Sequence, residues 1–105
     1  MHKEIIRNST FRGNDYTERR LPYQEYEKCQ FIDCNFSKAD LGEINFLECT
    51  FENCNLANAR LDHTGLKSVK FKDCKLIGID FSAGNDFLFE VSFDDCNLDF
   101  SFFFK

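Results

Sequence analysis

The sequence predicts an all-β fold built as a stack of four-sided turns, and three observations carry that prediction. An apolar residue falls at every fifth position without a miss: Phe31, Phe36, Leu41, Phe46, Phe51, Leu56, Leu61, Leu66, Phe71, Leu76 and Phe81. Two residues before each lies a small or apolar partner: Cys29, Cys34, Ala39, Ile44, Cys49, Cys54, Ala59, Thr64, Val69, Cys74 and Ile79. Like residues then recur at twenty more clearly than at five. A period of five fits neither the helical 3.6 nor the strand period of two. An internal repeat therefore has to be considered before any single element.

Residues 1–28 are the least regular part. The fifth-position rule extends back through Tyr26, Leu21, Tyr16 and Phe11, but the partners become Gln24, Arg19, Asn14 and Ser9. Most of these are too large or too polar to bury cheaply. The segment reads as an N-terminal lead-in and cap, with Ile5 and Ile6 on the covering side, because an open repeat end offers unpaired backbone to other chains.

Residues 29–105 carry the repeat. Residues 29–48 read CQFIDCNFSKADLGEINFLE and 49–68 read CTFENCNLANARLDHTGLKS, each divisible into four pentapeptides. Four short sides make one turn, and stacked turns place residues twenty apart at the strand spacing of roughly 4.8 Å. Side one then carries Phe31, Phe51 and Phe71, and side two carries Phe36, Leu56 and Leu76 above Cys34, Cys54 and Cys74. A coiled coil or a sandwich has no reason to recur this way.

After Phe81 the rule slips by two residues at Ser-Ala-Gly-Asn-Asp (82–86) and resumes at Leu88, Phe93, Leu98 and Phe103. Cys96 then falls on the side-two column and Val91 above Val69. Gly84 and Asn85 suit a bulge or tight bend with positive φ. The slip reads as one distorted corner rather than a domain boundary.

At this point the residues resemble the pentapeptide-repeat family, whose repeat is written A(D/N)LXX. Ala39-Asp40-Leu41, Cys34-Asn35-Phe36 and Cys54-Asn55-Leu56 reproduce its first three positions, and the resemblance runs from Cys29 to Phe103. It implies a right-handed quadrilateral β-helix of four to five coils with a packed axis. The phenylalanine- and cysteine-rich style with one slip is similar to the branch of quinolone-resistance (Qnr-like) and topoisomerase-poison immunity proteins. That branch implies a DNA mimic that binds DNA gyrase or another type II topoisomerase, and a homodimer joined through the C-terminal coil. Its members are longer, so the chain reads either as a short version or as an N-terminal portion.

Composition bounds the alternatives. The chain has 105 residues, with 18 acidic and 13 basic side chains for a formal charge of −5. General binding to nucleic acid or an anionic membrane needs the opposite sign. No apolar run is long enough to cross a bilayer and the N-terminus lacks a signal-like core, so a cytoplasmic protein with reduced thiols is expected. The six cysteines and fourteen phenylalanines read as core. A straight column of thiols at strand spacing cannot converge on one tetrahedral zinc, so interior packing is expected and no metal or other cofactor.

Catalysis is not expected. His2 and His63 are the only histidines, Asp62-His63 sits at outward positions, and no phosphate loop or nucleophile elbow appears. An enzyme using Asp62 and His63 is the weakest of three readings. The first is the topoisomerase-binding DNA mimic that protects against quinolones. The second is a structural or adaptor module for another protein. Partner-binding candidates are Glu90, Asp94, Asp95 and Asp99, although Lys67, Lys70, Lys72 and Lys75 interrupt the acidic column. The C-terminal Phe100, Phe102, Phe103 and Phe104 are the candidate dimer interface; the register turns only Phe103 inward, and exposed aromatic patches mark contacts.

Overall fold

A computed structural model of the chain describes residues 4–103. Its strands are short: β1 (Ile5–Arg7), β2 (Thr10–Arg12), β3 (Glu25–Glu27), β4 (Gln30–Ile32), β5 (Asn45–Leu47), β6 (Thr50–Glu52), β7 (Gly65–Lys72) and β8 (Phe89–Asp94). All pairings are parallel. One side of the stack runs Ile6, Tyr26, Phe46, Leu66, and the next runs Phe11, Phe31, Phe51, Phe71. The other two sides are single bridges, joining Asp15, Asn35, Asn55, Lys75 and Asn97 on one, and Asp40 with Arg60 and Asp80 with Phe102 on the other. Four sides per turn and a twenty-residue register make this a quadrilateral β-helix, the all-β architecture that the repeat predicts.

The fifth-position residues fill the axis. Phe31, Phe36, Phe46, Phe51, Phe71 and Leu76 are fully buried. Rings stack face to face up one column, with centroids 5.0 Å apart for Phe11–Phe31, 4.8 Å for Phe31–Phe51 and 5.1 Å for Phe51–Phe71. Edge-on contacts cross between columns, as between Phe46 and Phe51 at 5.3 Å. Flat rings suit this slot because the coil rise is close to the thickness of a stacked pair.

The partner position does more than fill space. The Sγ of Cys49 donates to Tyr26 O, that of Cys54 to Phe31 O and that of Cys74 to Phe51 O, each reaching the coil below. Thr64 occupies an equivalent slot and its Oγ1 donates to Leu41 O at 2.7 Å. The slot accepts small or apolar side chains, Ala39, Ile44, Ala59, Val69 and Ile79 among them, and cysteine, its commonest occupant in this chain, adds a donor. The second repeat position has its own task. The Oδ1 of Asp15, Asn35, Asp40, Asn55, Asp80 and Asn97 accepts the N–H two residues on, closing a corner.

Residues 4–28 extend the same ladders, pairing Ile5–Arg7 with Glu25–Glu27 and Thr10–Arg12 with Gln30–Ile32. Tyr16, Leu21 and Tyr26 are buried, while Arg19 and Gln24 at the polar partner positions stay exposed. The Arg19 guanidinium instead lies 5.5 Å from the Tyr16 ring centre, and Asn14 donates to the Tyr16 hydroxyl. The awkward partners are accommodated by facing water.

The slip falls where expected but is built differently. Leu66 pairs with Phe89 and Lys67 with Glu90, an offset of 23, and a bulge before Val69 returns the register to Val91 and Phe93, an offset of 22. Three residues are gained at the corner and one is given back at Ser68. The expected positive φ at Gly84 and Asn85 does not occur. Gly84 has φ −71 and ψ 177 and closes a 3-10 turn over Phe81–Ala83. Glycine fits there for space, since a Cβ would lie 3.1 Å from Thr64 O. Positive φ appears instead at the regular corners, two residues after an inward side chain, as at Asp33, Lys38, Glu43, Asn53, His63 and Asp73.

Two measurements test this packing. Replacing Phe51 by alanine should lower unfolding free energy by roughly 3–5 kcal/mol in a denaturant titration, as for other core phenylalanines; a neutral result would refute the stacked ladder. Burial pushes the Cys49 thiol up to about 12 and raises those of Cys34 and Cys96 as well. Raised values keep these groups protonated at pH 8, and the thiolate is the reactive form. A disulfide-exchange reagent at pH 8 should label Cys96 first, because it alone of the six is only half-buried, and the buried cysteines only after denaturant is added.

Candidate partner-binding surface

The sequence-derived candidates lie on the last coil, where β8 and the corners after it set their positions. Glu90 points outward from β8 but is already engaged. Its Oε1 lies 3.1 Å from Lys67 Nζ and accepts from Ser68 Oγ at 2.7 Å. The Ser68 hydrogen bond and the Lys67 charge hold its carboxyl below the usual range. The bulge at Ser68 brings that donor within reach, which the linear sequence does not announce.

Asp94 ends β8 opposite Lys72, which itself sits opposite Glu52 on β6. Charge therefore alternates up this column. Asp95 takes the next corner with φ 53 and shares a hollow of about 370 Å³ with Asp73, Asn53 and Asn97. Asp99 follows at the neighbouring corner, its N–H donated to Asn97 Oδ1 at 3.0 Å. All three aspartates are exposed, and none is ion-paired to a lysine or arginine among the described residues. The structure thus separates the four acids into one neutralised group and three that face water.

The aromatic candidates gather at the same end. Phe103 stacks on Phe81 with centroids 4.7 Å apart, so it holds the inward register although its outer face is open. Phe100 is 87% exposed and has φ 62, and Phe102 is half exposed. A bulky ring in the left-handed region is strained by Cβ contact with the following carbonyl. Phe104 lies outside the described residues, as does His2. Asp62 and His63 occupy an exposed corner, His63 with φ 57 and its N–H donated to Ala83 O.

Sequence reasoning passed over Phe87 and Phe89, which are 94% and 39% exposed. The signal was present, since a register resuming at Leu88 turns both of its neighbours outward. No helix among the described residues is long and apolar enough to cross a membrane.

A search of curated proteins found no match. Among solved structures the fold is similar to full-length QnrB1, described as a plasmid-mediated fluoroquinolone resistance protein, at 20% identity and a TM-score of 0.53. That alignment covers 92% of this chain and 59% of QnrB1, so the chain spans less than two thirds of that protein's length. A pentapeptide repeat protein, Rfr23 from the cyanobacterium Cyanothece 51142, aligns at 12% identity and a TM-score of 0.33 over 92% of this chain and 86% of its own, too low to carry an argument. The profile of the pentapeptide repeat region matches residues 24–103. With that match over most of its length, and the twenty-residue register behind it, the chain belongs to the pentapeptide-repeat family.

Proposed function

We propose that this protein is a non-enzymatic scaffold that binds a protein partner through the outward residues of its last coil. The observation that carries this reading is the coincidence of three uncompensated carboxylates, Asp94, Asp95 and Asp99, with exposed aromatic rings on one rigid stacked frame. Aromatic anchors beside charge are the usual anatomy of a protein contact. The axis itself is filled with side chains, which leaves the surface as the working part.

For the partner we propose a type II topoisomerase, DNA gyrase in particular, with the acids imitating duplex DNA and protecting against quinolones. Support comes from the fold shared with QnrB1 and from that protein's description as a resistance protein. The charge alternation works against it. A duplex carries one charge per roughly 1.7 Å without a break, whereas Lys72 separates Glu52 from Asp94 and Lys67 neutralises Glu90. That observation favours the second reading, an adaptor for an unrelated protein, and the same experiment separates them. In a gyrase supercoiling assay run with and without a quinolone, the expected result is inhibition or protection that disappears when Asp94, Asp95 and Asp99 are all changed to lysine. No effect over a wide concentration range would reject the topoisomerase reading, and a different partner captured by the wild type but lost in the triple variant would establish the adaptor.

We further propose a homodimer through Phe100, Phe102, Phe103 and Phe104 of the C-terminal coil, in the cytoplasm. Phe100 is 87% exposed on the last coil, at a corner whose left-handed backbone the other corners share, and exposed aromatic patches mark contacts. Phe100→Gly should raise the stability of the monomer by roughly 1 kcal/mol, since glycine takes a positive φ without the Cβ contact. In light scattering the same change should shift the mass from two chains toward one. A wild-type mass of one chain at micromolar concentration would reject the dimer.

A further inference from the structure

The backbone ladder is left open at the last coil. On side two, Asp73 N–H is donated to Asp94 O at 2.9 Å, Leu76 N–H to Asn97 O at 2.8 Å and Gly78 N–H to Asp99 O at 2.9 Å, while Cys74 O accepts Asn97 N–H at 3.0 Å. One coil further on, the equivalent groups are Asp95 N–H, Leu98 N–H, Phe100 N–H and Cys96 O. None of them has a partner among the described residues. The ring column is open in the same way, since Phe93 stacks on Phe71 and is only half-buried. Unpaired edges beside open rings are a template for another chain.

The first coil offers a matching face. β2 pairs with β4 alone, so its other edge is open. Arg12 O and Asp15 N–H are the counterparts of Ile32 O and Asn35 N–H, which join the first two coils, and neither has a partner among the described residues. Phe11 is half-buried and heads the column that runs through Phe31, Phe51 and Phe71. Side two of this coil is partly covered by one exposed side chain, Arg19, which lies over Tyr16 and donates to Asp15 O at 3.4 Å.

Charge selects the same match. The outward column of side one reads Arg12, Ile32, Glu52, Lys72 and Asp94, so setting one copy on another places Arg12 over Asp94. Neither residue has an ion pair within its own chain among the described residues. Arg7 and Glu90 are already paired with Glu27 and Lys67 and do not enter. Two last coils set face to face would bring Asp94, Asp95 and Asp99 against their own copies, an arrangement that like charge opposes.

We propose that the last coil of one copy receives the first coil of another, head to tail, so that the ladders run on from chain to chain. Phe93 stacks on the partner's Phe11, Asp95 N–H is donated to the partner's Arg12 O, and Cys96 O accepts from the partner's Asp15 N–H. Asp94 pairs with the guanidinium of the partner's Arg12, and the partner's Arg19 swings off its ring toward Asp99. A second copy is the occupant because these two faces repeat the register by which the coils of one chain already bind each other. The inference rests on the self-association through the C-terminal coil proposed above and names the face that this coil meets. Such a contact leaves one last coil and one first coil open, so growth does not stop at two chains.

Light scattering tests the direction of the contact. The mass should rise beyond two chains when a micromolar solution is concentrated about tenfold, as an open heterologous contact requires. Arg12→Glu and Asp94→Arg, both at exposed positions, should each weaken self-association by about tenfold, because like charges then meet. An equal mixture of the two variants should associate as the wild type does, since each presents a face that suits the other, and that recovery also shows both to be folded. A mass fixed at two chains, either variant associating as tightly as the wild type, or a mixture that stays apart would each overturn the head-to-tail contact. If Phe100→Gly lowers the mass while Arg12→Glu leaves it unchanged, the self-association stands and only its direction fails. A wild-type mass of one chain throughout would overturn both.

Discussion

The structure depends on one constraint: every coil must hand its hydrogen bonds and its apolar face to the coil above. Three-residue strands such as β3 and β5 are too short to be stable as hairpins. They persist because Tyr26 and Phe46 are paired along the axis by backbone bonds and by rings 5.5 Å apart. The cysteine and threonine slots serve the same constraint by adding a side-chain donor to a carbonyl of the preceding coil. Stability in such a stack is close to a sum of neighbouring-coil terms, and each interior ring belongs to two of them.

That architecture separates structure from function by position within the pentapeptide. Inward residues are committed to the axis, and the left-handed corner residues turn the chain. What remains free are outward side chains on a rigid frame, where a charge has meaning only beside its vertical neighbours. Glu90 illustrates this. By composition it belongs to an acidic patch, but the coil below supplies Lys67 and Ser68 and cancels it. Asp99 has no such partner among the described residues and stays available to another molecule.

The departures from regularity are where the surface becomes distinctive. The Phe81–Ala83 turn and the bulge at Ser68 absorb extra residues without breaking the Phe71–Phe93 stack, whose centroids are 5.6 Å apart. The excess chain has to go outward, and it carries Phe87 with it. An insertion that keeps the core register therefore creates an external feature that a regular coil lacks.

The sequence by itself determined the period, the four sides, the inward residues from Phe31 to Phe81 and the place of the slip. A buried ladder tolerates one kind of side chain at one spacing, so burial writes itself into the order of residues. Only the tertiary structure decided the corners, because lysine, glutamate and histidine take the left-handed conformation at Lys38, Glu43 and His63 as readily as asparagine does at Asn53. Stacking sets the backbone there, and local preference does not. The pairing of Glu90, the exposure of Phe87 and the two-part correction of register also belong to the fold. Each arises from contact between residues about twenty apart, and a linear pattern records which residues recur but not which charges meet.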